Sequence, residues 1–580
     1  MFVHDLINDF YRLIKRDRVL LIVNYDIDGL CAAKIFQGLF RCDNIIYTLC
    51  PVQTVEDVQT CYSQHVNEIK NVIFVNCGGT IDLVELLDPQ DGVNFFVVDS
   101  HRPTDVCNVY SNAHVRLLTE ADEDENIPDF EDIFSDEEES EHSDEDLSDD
   151  SLSEAAVNKR RRMDEEALLK QREKNIWREK RKTIMFDYSK HTYYSQSSAL
   201  IVYELAWKLN KDCVDMLWWA IVGIAEQYIL NKSEYNKYLN LMSSTLYSHV
   251  SRLCTRLLVN NDDDTQSLNS ANTFDVSSTN TVLKITSDDD LNLALYRHWT
   301  IESSLRYSRY SAINMRLFTI KGEKKLNKIL AEVGLPLIES KQKFSTMDLN
   351  LRNEFMSMMN KVSEKNNLPH LVIPSFYLSY GYTSRYAASD YVYSLLALLS
   401  RSNRDKLFTD CFLEAFDALS RVKRDVLETG ISHAKQMLVA MFRQVQNAIE
   451  MKQIKATGPF YSLILNEGTT DSQYFSHPHL LPILAHYVLE SYVAVTHIRK
   501  AAAMPLIVSV SHNLEQATCL ITGVPPVLEE SVKSFFGKAF EQAADKCDVQ
   551  FASTYFDSSV IELKMEDRST FLEALTSLLM

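Results

Sequence analysis

The stretch NYDIDGLCAAK (residues 24–34) breaks out of an apolar run, Val19-Leu20-Leu21-Ile22-Val23, and sets Asp26 and Asp28 where a strand gives way to a helix. Carboxylates two residues apart at such a turn can face a common cation, and the helix N-terminus beside them favours an anion such as phosphate. The same residues also suit a plainer role, with Asp28 as N-cap of a helix over 30–40. Taken alone, the turn leaves both readings open.

Outward from this turn, strand-like runs recur at 19–23, 45–49, 72–75 and 95–98, with helix-like stretches at 30–40, 55–69 and 81–87 between them. Continuously apolar strands alternating with amphipathic helices predict an α/β domain with a parallel sheet covered on both faces. Ligands of such sheets bind beyond the carboxyl ends of the strands. Asp26, Asp28, Asn76 and Asp99 all fall just after strands, so the topology should gather them on one rim.

At 580 residues the chain exceeds one core and predicts several domains. No apolar run reaches the roughly 18 residues of a membrane span, so no membrane role is expected. The first ten residues, MFVHDLINDF, lack the basic start of a signal peptide. The 11 cysteines show no CxxC pair and no zinc-type spacing, which suits reduced structural thiols in an intracellular protein. Net charge is −22, but residues 120–154 hold 19 Asp/Glu and no Lys/Arg, leaving −3 for the remainder. A broad basic surface for coating DNA is thereby excluded, although a local channel is not.

The acidic run should be disordered, since its charges repel and its few apolar residues cannot support a core. Within it Ser135 and Ser143 each precede an acid by three residues, the pattern favoured by acid-directed kinases. Residues 159–182 then carry 11 Lys/Arg against 5 Asp/Glu, which suits a nuclear import signal or a solvated, salt-bridged helix. The expected organisation is an α/β domain over 1–118, an acidic and then basic insert over 119–182, the remainder of the first domain over 183–231, a mostly helical region over 232–400 and a second α/β domain over 401–580. The Asp262-Asp263-Asp264 and Asp288-Asp289-Asp290 runs lack the spaced ligands and central glycine of a calcium loop and read as solvated loops.

A second chemistry-bearing stretch, Val97-Val98-Asp99-Ser100-His101-Arg102-Pro103, also follows a strand. Together the two stretches resemble the DHH phosphoesterase superfamily, which includes RecJ-type single-strand exonucleases. In that family DxDxDG after a strand, an Asp in a later turn and an Asp-His-His motif supply metal ligands. Asp26 and Asp28 match the first motif; Asp99 and His101 match the outer positions of the last, with Ser100 in place of the central His. Asn76 stands where active members have Asp, and Glu226 or Gln227 falls where a further Asp is expected. An amide for a carboxylate and a hydroxyl for an imidazole weaken a site that must hold divalent cations. The family's Gly-Gly-His motif is missing between 401 and 580. The resemblance therefore implies vestigial positions Asp26, Asp28, Asn76, Asp99, Ser100 and His101, with no catalytic residue, no metal and no cofactor expected.

Further along, YELAW, DMLWWAIVGIAEQ, KKLNKILAEVGLPL, FFGKAF and VIELKMEDRSTFLEALTSLL occur in order. With the acidic insert and VVDSHRP they resemble the eukaryotic cell division control protein forty-five family over essentially the whole chain. That resemblance implies a nuclear, chromatin-associated DNA-replication factor, a non-catalytic subunit joining the minichromosome maintenance hexamer and the GINS tetramer in the replicative helicase. It leaves contact with single-stranded DNA and other fork proteins open. The alternatives are an active metal-dependent phosphoesterase using Asp26, Asp28, Asp99 and His101, and a phosphatase with Asp26 as nucleophile. The second needs a downstream acidic pair, and the nearest such pairs lie in the acidic run.

Overall fold

The computed structural model describes residues 1–134, 154–262 and 283–580, apart from 67, 123–124, 381–383, 402–405, 466–467, 469–470, 514, 529–531, 548 and 550–554. For 154–171, 255–262 and 337 only the backbone is described. Ser135 and Ser143, most of the acidic run, and residues 263–282 with Asp263-Asp264 lie outside the described residues.

The first domain runs β1 (Val19–Asn24), α1 (Ile27–Asp43), β2 (Tyr47–Val52), α2 (Val55–His65), β3 (Asn71–Val75), α3 (Leu83–Leu87), β4 (Asn94–Val98) and β5 (Val115–Leu117). Its strands form one sheet in the order β2-β1-β3-β4-β5, every pair parallel. Both faces are covered, which is why β1 reads as an unbroken apolar run. Val19, Leu21 and Val23 enter a core with Leu30, Phe36 and Leu39 of α1, while Leu20 and Ile22 face Val58 and Tyr62 of α2 and Leu83 of α3. The chain moves outward from β1 to β2 and then back to β3 on the other side. The switch point of the sheet thus lies between β1 and β3.

The insert begins later than its charge predicts. Glu125 is buried beside Arg102, with Arg102 Nε 3.1 Å from Glu125 Oε2, and the Tyr110 hydroxyl donates to Pro128 O at 2.6 Å. A buried guanidinium thus draws the first part of the acidic segment onto the domain. The basic stretch lies in a long helix, α4 (Glu154–Ser189). It leads into α5 (Ser198–Lys208) and α6 (Val214–Ile229), which pack on α1 and complete the first core.

The middle region is not simply helical. An antiparallel sheet of β6 (Leu283–Leu291), β7 (Val372–Tyr380) and β8 (Ser384–Ala387) runs in the order β8-β7-β6. Asp288-Asp289-Asp290, read from sequence as a loop, lies on β6. Asp288 and Asp289 are exposed on this edge strand, where charge discourages pairing with another chain. Asp290 turns inward and accepts from the Tyr296 hydroxyl at 3.0 Å, with Arg297 Nη2 also 3.0 Å away. Helices α7 (Ala388–Leu399) and α8 (Arg424–Glu450) lead into the second α/β domain.

That domain holds β9 (Lys455–Thr457), β10 (Phe460–Leu465), α9 (Leu480–Thr496), β11 (Leu506–Asn513), β12 (Thr518–Val524), α10 (Phe536–Cys547), β13 (Val560–Lys564) and α11 (Arg568–Leu579). Its sheet follows the order β9 to β13, and only β10 and β11 pair in parallel. Among the described residues no helix is long and apolar enough to cross a membrane.

Candidate functional site

The residues flagged at strand ends do converge. Asp26, rather than Asp28, is the N-cap of α1: its backbone is extended, and its Oδ1 accepts from Gly29 N at 2.9 Å. This displaces Asp28 into the first turn, facing α5. There Asp28 Oδ1 accepts from the Ser197 hydroxyl at 2.5 Å and Ala199 N at 3.0 Å, and Oδ2 from Ser198 N at 2.8 Å. The N-terminus of α5 therefore clamps this carboxylate with backbone N–H groups. The close approach of α6 behind it requires Gly223, where a Cβ would stand 2.8 Å from Asp28 Oδ1 and 2.9 Å from Ala199 Cβ.

Asn76 follows β3 with φ of 54°, in the left-handed region that asparagine tolerates better than most residues. Its side-chain amide joins the two turns. Nδ2 donates to Asp26 Oδ2 at 2.9 Å and to Asp28 Oδ2 at 3.2 Å. Its Oδ1 accepts from Ser198 Oγ at 2.5 Å, Ser100 N at 3.1 Å and Ser100 Oγ at 3.3 Å. Ser100 therefore serves the network as a donor to Asn76.

Asp99 follows β4. Its Oδ2 accepts from Gly78 N at 3.2 Å and Gly79 N at 2.7 Å, and its Oδ1 from His101 N at 2.9 Å and His101 Nδ1 at 2.7 Å. Gly79 is needed there, because a Cβ would meet the Asp99 side chain at 2.8 Å. Burial opposes both charges of this pair. The Asp99–His101 attraction overcomes it, holding the Asp99 carboxyl below the usual range and raising the imidazole.

Of the two residues at the end of α6, Glu226 faces the cleft, while Gln227 turns aside and donates to Ser195 O at 3.2 Å. Lys232, three residues beyond α6, places its ammonium 2.7 Å from Glu226 Oε1 and 4.7 Å from the centre of the Tyr194 ring. The Glu226 side chain is 1% exposed and that of Lys232 18%. Burial raises the Glu226 carboxyl, while the attraction of Glu226 and Asp26 outweighs burial and keeps Lys232 strongly basic. Asp26 is pushed up to about 7 by burial, opposed by Lys232 and reinforced by Asp28 and Glu226. Sequence reasoning missed Ser197, Ser198 and Lys232. Ser197 precedes α5 and Ser198 opens it, a cap signal open to reading, but the Asn-Lys-Ser setting of Lys232 resembles ordinary surface loop.

The rim opens into a cleft of about 1080 Å³ closed from the other side by the second α/β domain, with His479, His486, Pro525, Lys538 and Asp557 among its lining residues. Burial drives the His479 imidazole down to about 3 and that of His486 to about 4, so both are neutral at physiological pH.

A parallel sheet whose switch-point rim gathers acidic residues from successive strand ends defines an α/β protein with its candidate site at the carboxyl ends of the strands. The CDC45 family model matches residues 19–156 and 119–578. The human cell division control protein 45 homolog is 38% identical over 100% of both chains. A crystal structure of CDC45 from Entamoeba histolytica superposes with a TM-score of 0.66 at 20% identity, covering 100% of each chain. A structure of exonuclease RecJ bound to manganese aligns at a TM-score of 0.40 and 11% identity, over 99% of this chain and 92% of that one. The chain belongs to the CDC45 family. As a member of that family it is a protein of DNA replication and the cell cycle.

The divalent cations associated with DHH phosphoesterases need carboxylate oxygens with open lone pairs. An ionised carboxylate offers about four acceptor positions. Asp28 and Asp99 each already receive four donors from the chain itself. At position 76 an NH₂ group points at Asp26 and Asp28 where a metal ligand would have to present an oxygen. The residues present do not fit a divalent pair.

Proposed function

We propose that this chain is a non-catalytic subunit of the eukaryotic replicative DNA helicase. In this reading it joins the minichromosome maintenance hexamer and the GINS tetramer during initiation and elongation, in the nucleus and on chromatin. The observation that carries the non-catalytic part is the Asn76 amide between Asp26 and Asp28, at 2.9 and 3.2 Å. It converts a cluster of carboxylates that would need external cations into a network of internal hydrogen bonds. The ammonium of Lys232 supplies a positive charge from within the chain. The DHH-type rim is thereby a structural junction between strand ends, α1, α5 and α6. Full-length identity of 38% to the human homolog supports the replication role.

Among the described residues lining the cleft, Asp26, Glu226, Glu490, Glu541, Asp545 and Asp557 outnumber Arg102, Lys232 and Lys538. That balance disfavours the cleft as a main track for a phosphate backbone.

Two measurements test the reading. Purified chain, assayed with manganese on single-stranded DNA, should show no cleavage; cleavage abolished by Asp28→Ala would establish the phosphoesterase alternative. Mixed with the hexamer and GINS, the chain should co-elute as one assembly. Failure to associate would remove the helicase-subunit role while leaving the chemistry of the rim untouched.

A further inference from the structure

A second cluster lies on the other face of the first sheet and takes no part in the rim. Strand β2 is an edge strand, and Cys50 sits near its middle, opposite Ile22 of β1. Alternation along β2 turns Cys50 and Val52 toward α2 and sends Tyr47 and Leu49 into the other core. On α2, Cys61 and His65 are four residues apart and so share a face. Each of the three offers a ligand atom, and these atoms lie within 4.8 Å of one another. Cys61 is buried, and Cys50 and His65 are half-buried, so the cluster is seated in the structure yet open on one side. His65 Nδ1 lies 2.9 Å from Cys61 O, which fixes the ring on the helix; a backbone partner of this kind orients the imidazole in many metal sites.

The chemistry of the three donors is selective. Two thiols and an imidazole suit a soft or borderline cation, and they discriminate against magnesium and calcium, which take oxygen ligands. Another group of potential ligands, Asp82, Asp105 and Cys107, carries no such signal. Asp82 accepts from Val84 N and Glu85 N and Asp105 from Cys107 N, so both carboxylates are explained as helix caps.

We propose that Cys50, Cys61 and His65 form a zinc-class site with three protein ligands and one position left for water. The ion ties the edge strand β2 to α2 and makes its attachment depend on zinc supply.

Cobalt(II) tests the proposal, because a thiolate–cobalt bond produces an absorption band that nitrogen or oxygen ligands do not. Full-length chain, reduced and freed of reductant, is titrated with cobalt under anaerobic conditions. The expected result is a thiolate–cobalt band that saturates at one equivalent and disappears on adding zinc. Cys50→Ser and His65→Ala should each weaken cobalt binding at least about tenfold, the scale on which a metal site responds to losing one supporting group. Cys50 and His65 are half-buried, so these variants spare the packed Cys61, and circular dichroism verifies that they fold. No band, or one unchanged in Cys50→Ser and arising from the other cysteines, would overturn the proposal. So would a Cys50–Cys61 disulfide forming in place of metal uptake.

Discussion

Lys232→Met removes the ammonium that pairs with Glu226 at the rim while keeping most of the side-chain volume. The Glu226 side chain is 1% exposed, and its Oε2 accepts no hydrogen bond among the described residues, so the variant leaves a buried carboxylate without its ion-pair partner. Breaking a buried pair in this way costs roughly 3–5 kcal/mol, and the 18% exposure of Lys232 points to the lower end, about 3 kcal/mol at pH 8. The sign of the pH dependence follows from Glu226. Burial already raises its carboxyl above the unfolded value of 4.5, and losing Lys232 raises it further. An acid with a raised folded pKa binds its proton more tightly when folded, so its penalty appears as pH rises above the unfolded pKa and is relieved below it. The loss should therefore shrink at pH 5 toward the packing change alone, within about 1.5 kcal/mol for a swap of similar volume. Urea unfolding followed by tryptophan fluorescence reads the difference, since Trp218 on α6 is buried in the first core. Adding Glu226→Gln to Lys232→Met should recover most of the loss at pH 8. A variant as stable as the parent at pH 8, or a loss indifferent to both pH and Glu226→Gln, would refute the argument.

Three further outcomes follow from the same geometry. Asn76→Asp places a third carboxylate against two others that now lie 2.9 and 3.2 Å from its amide nitrogen; it should cost about 2–4 kcal/mol at pH 8 and less at pH 5, read by urea unfolding. Asp26, with a carboxyl pushed up to about 7 from 3.8, contributes stability that is present at low pH and lost as pH rises through that window; Asp26→Asn should flatten the stability profile there. Glu125→Ala strands the buried Arg102 guanidinium and should cost about 3 kcal/mol, with faster amide exchange over residues 104–134 measured by mass spectrometry.

The first sheet was legible because its strands are buried on both faces and so appear as uninterrupted apolar runs. Asp26, Asn76 and Asp99 followed from that pattern, since they lie where those runs end. The sheet of β6, β7 and β8 was obscured because β6 is an edge strand, and its Asp288-Asp289-Asp290 run has the composition of a loop. One inward turn, at Asp290, is paired with an arginine that lies seven residues further on, a contact no local pattern reveals. Lys232 was illegible for a related reason. Its importance comes from landing beside Glu226 after the turn that follows α6, not from any spacing in the sequence. Ser100 and Asn76 could be recognised as departures from a motif, but their new role as mutual hydrogen-bond partners required the fold.

The buried Glu125 side chain has a consequence for the whole insert. Its carboxylate accepts from Thr104 N at 2.6 Å and from the Tyr188 hydroxyl at 3.0 Å, in the last turn of α4, and forms an ion pair with Arg102 Nε at 3.1 Å. Tyr188 also donates to Thr104 O at 2.8 Å. The outgoing and returning ends of the insert are thus fastened to the same few atoms, like the two ends of a keyring. Because closing a longer ring costs only logarithmically more entropy, residues can be gained, lost or phosphorylated between the fastened ends with little strain reaching the sheet. The fold of the first domain is thereby insulated from the length of the segment that interrupts it.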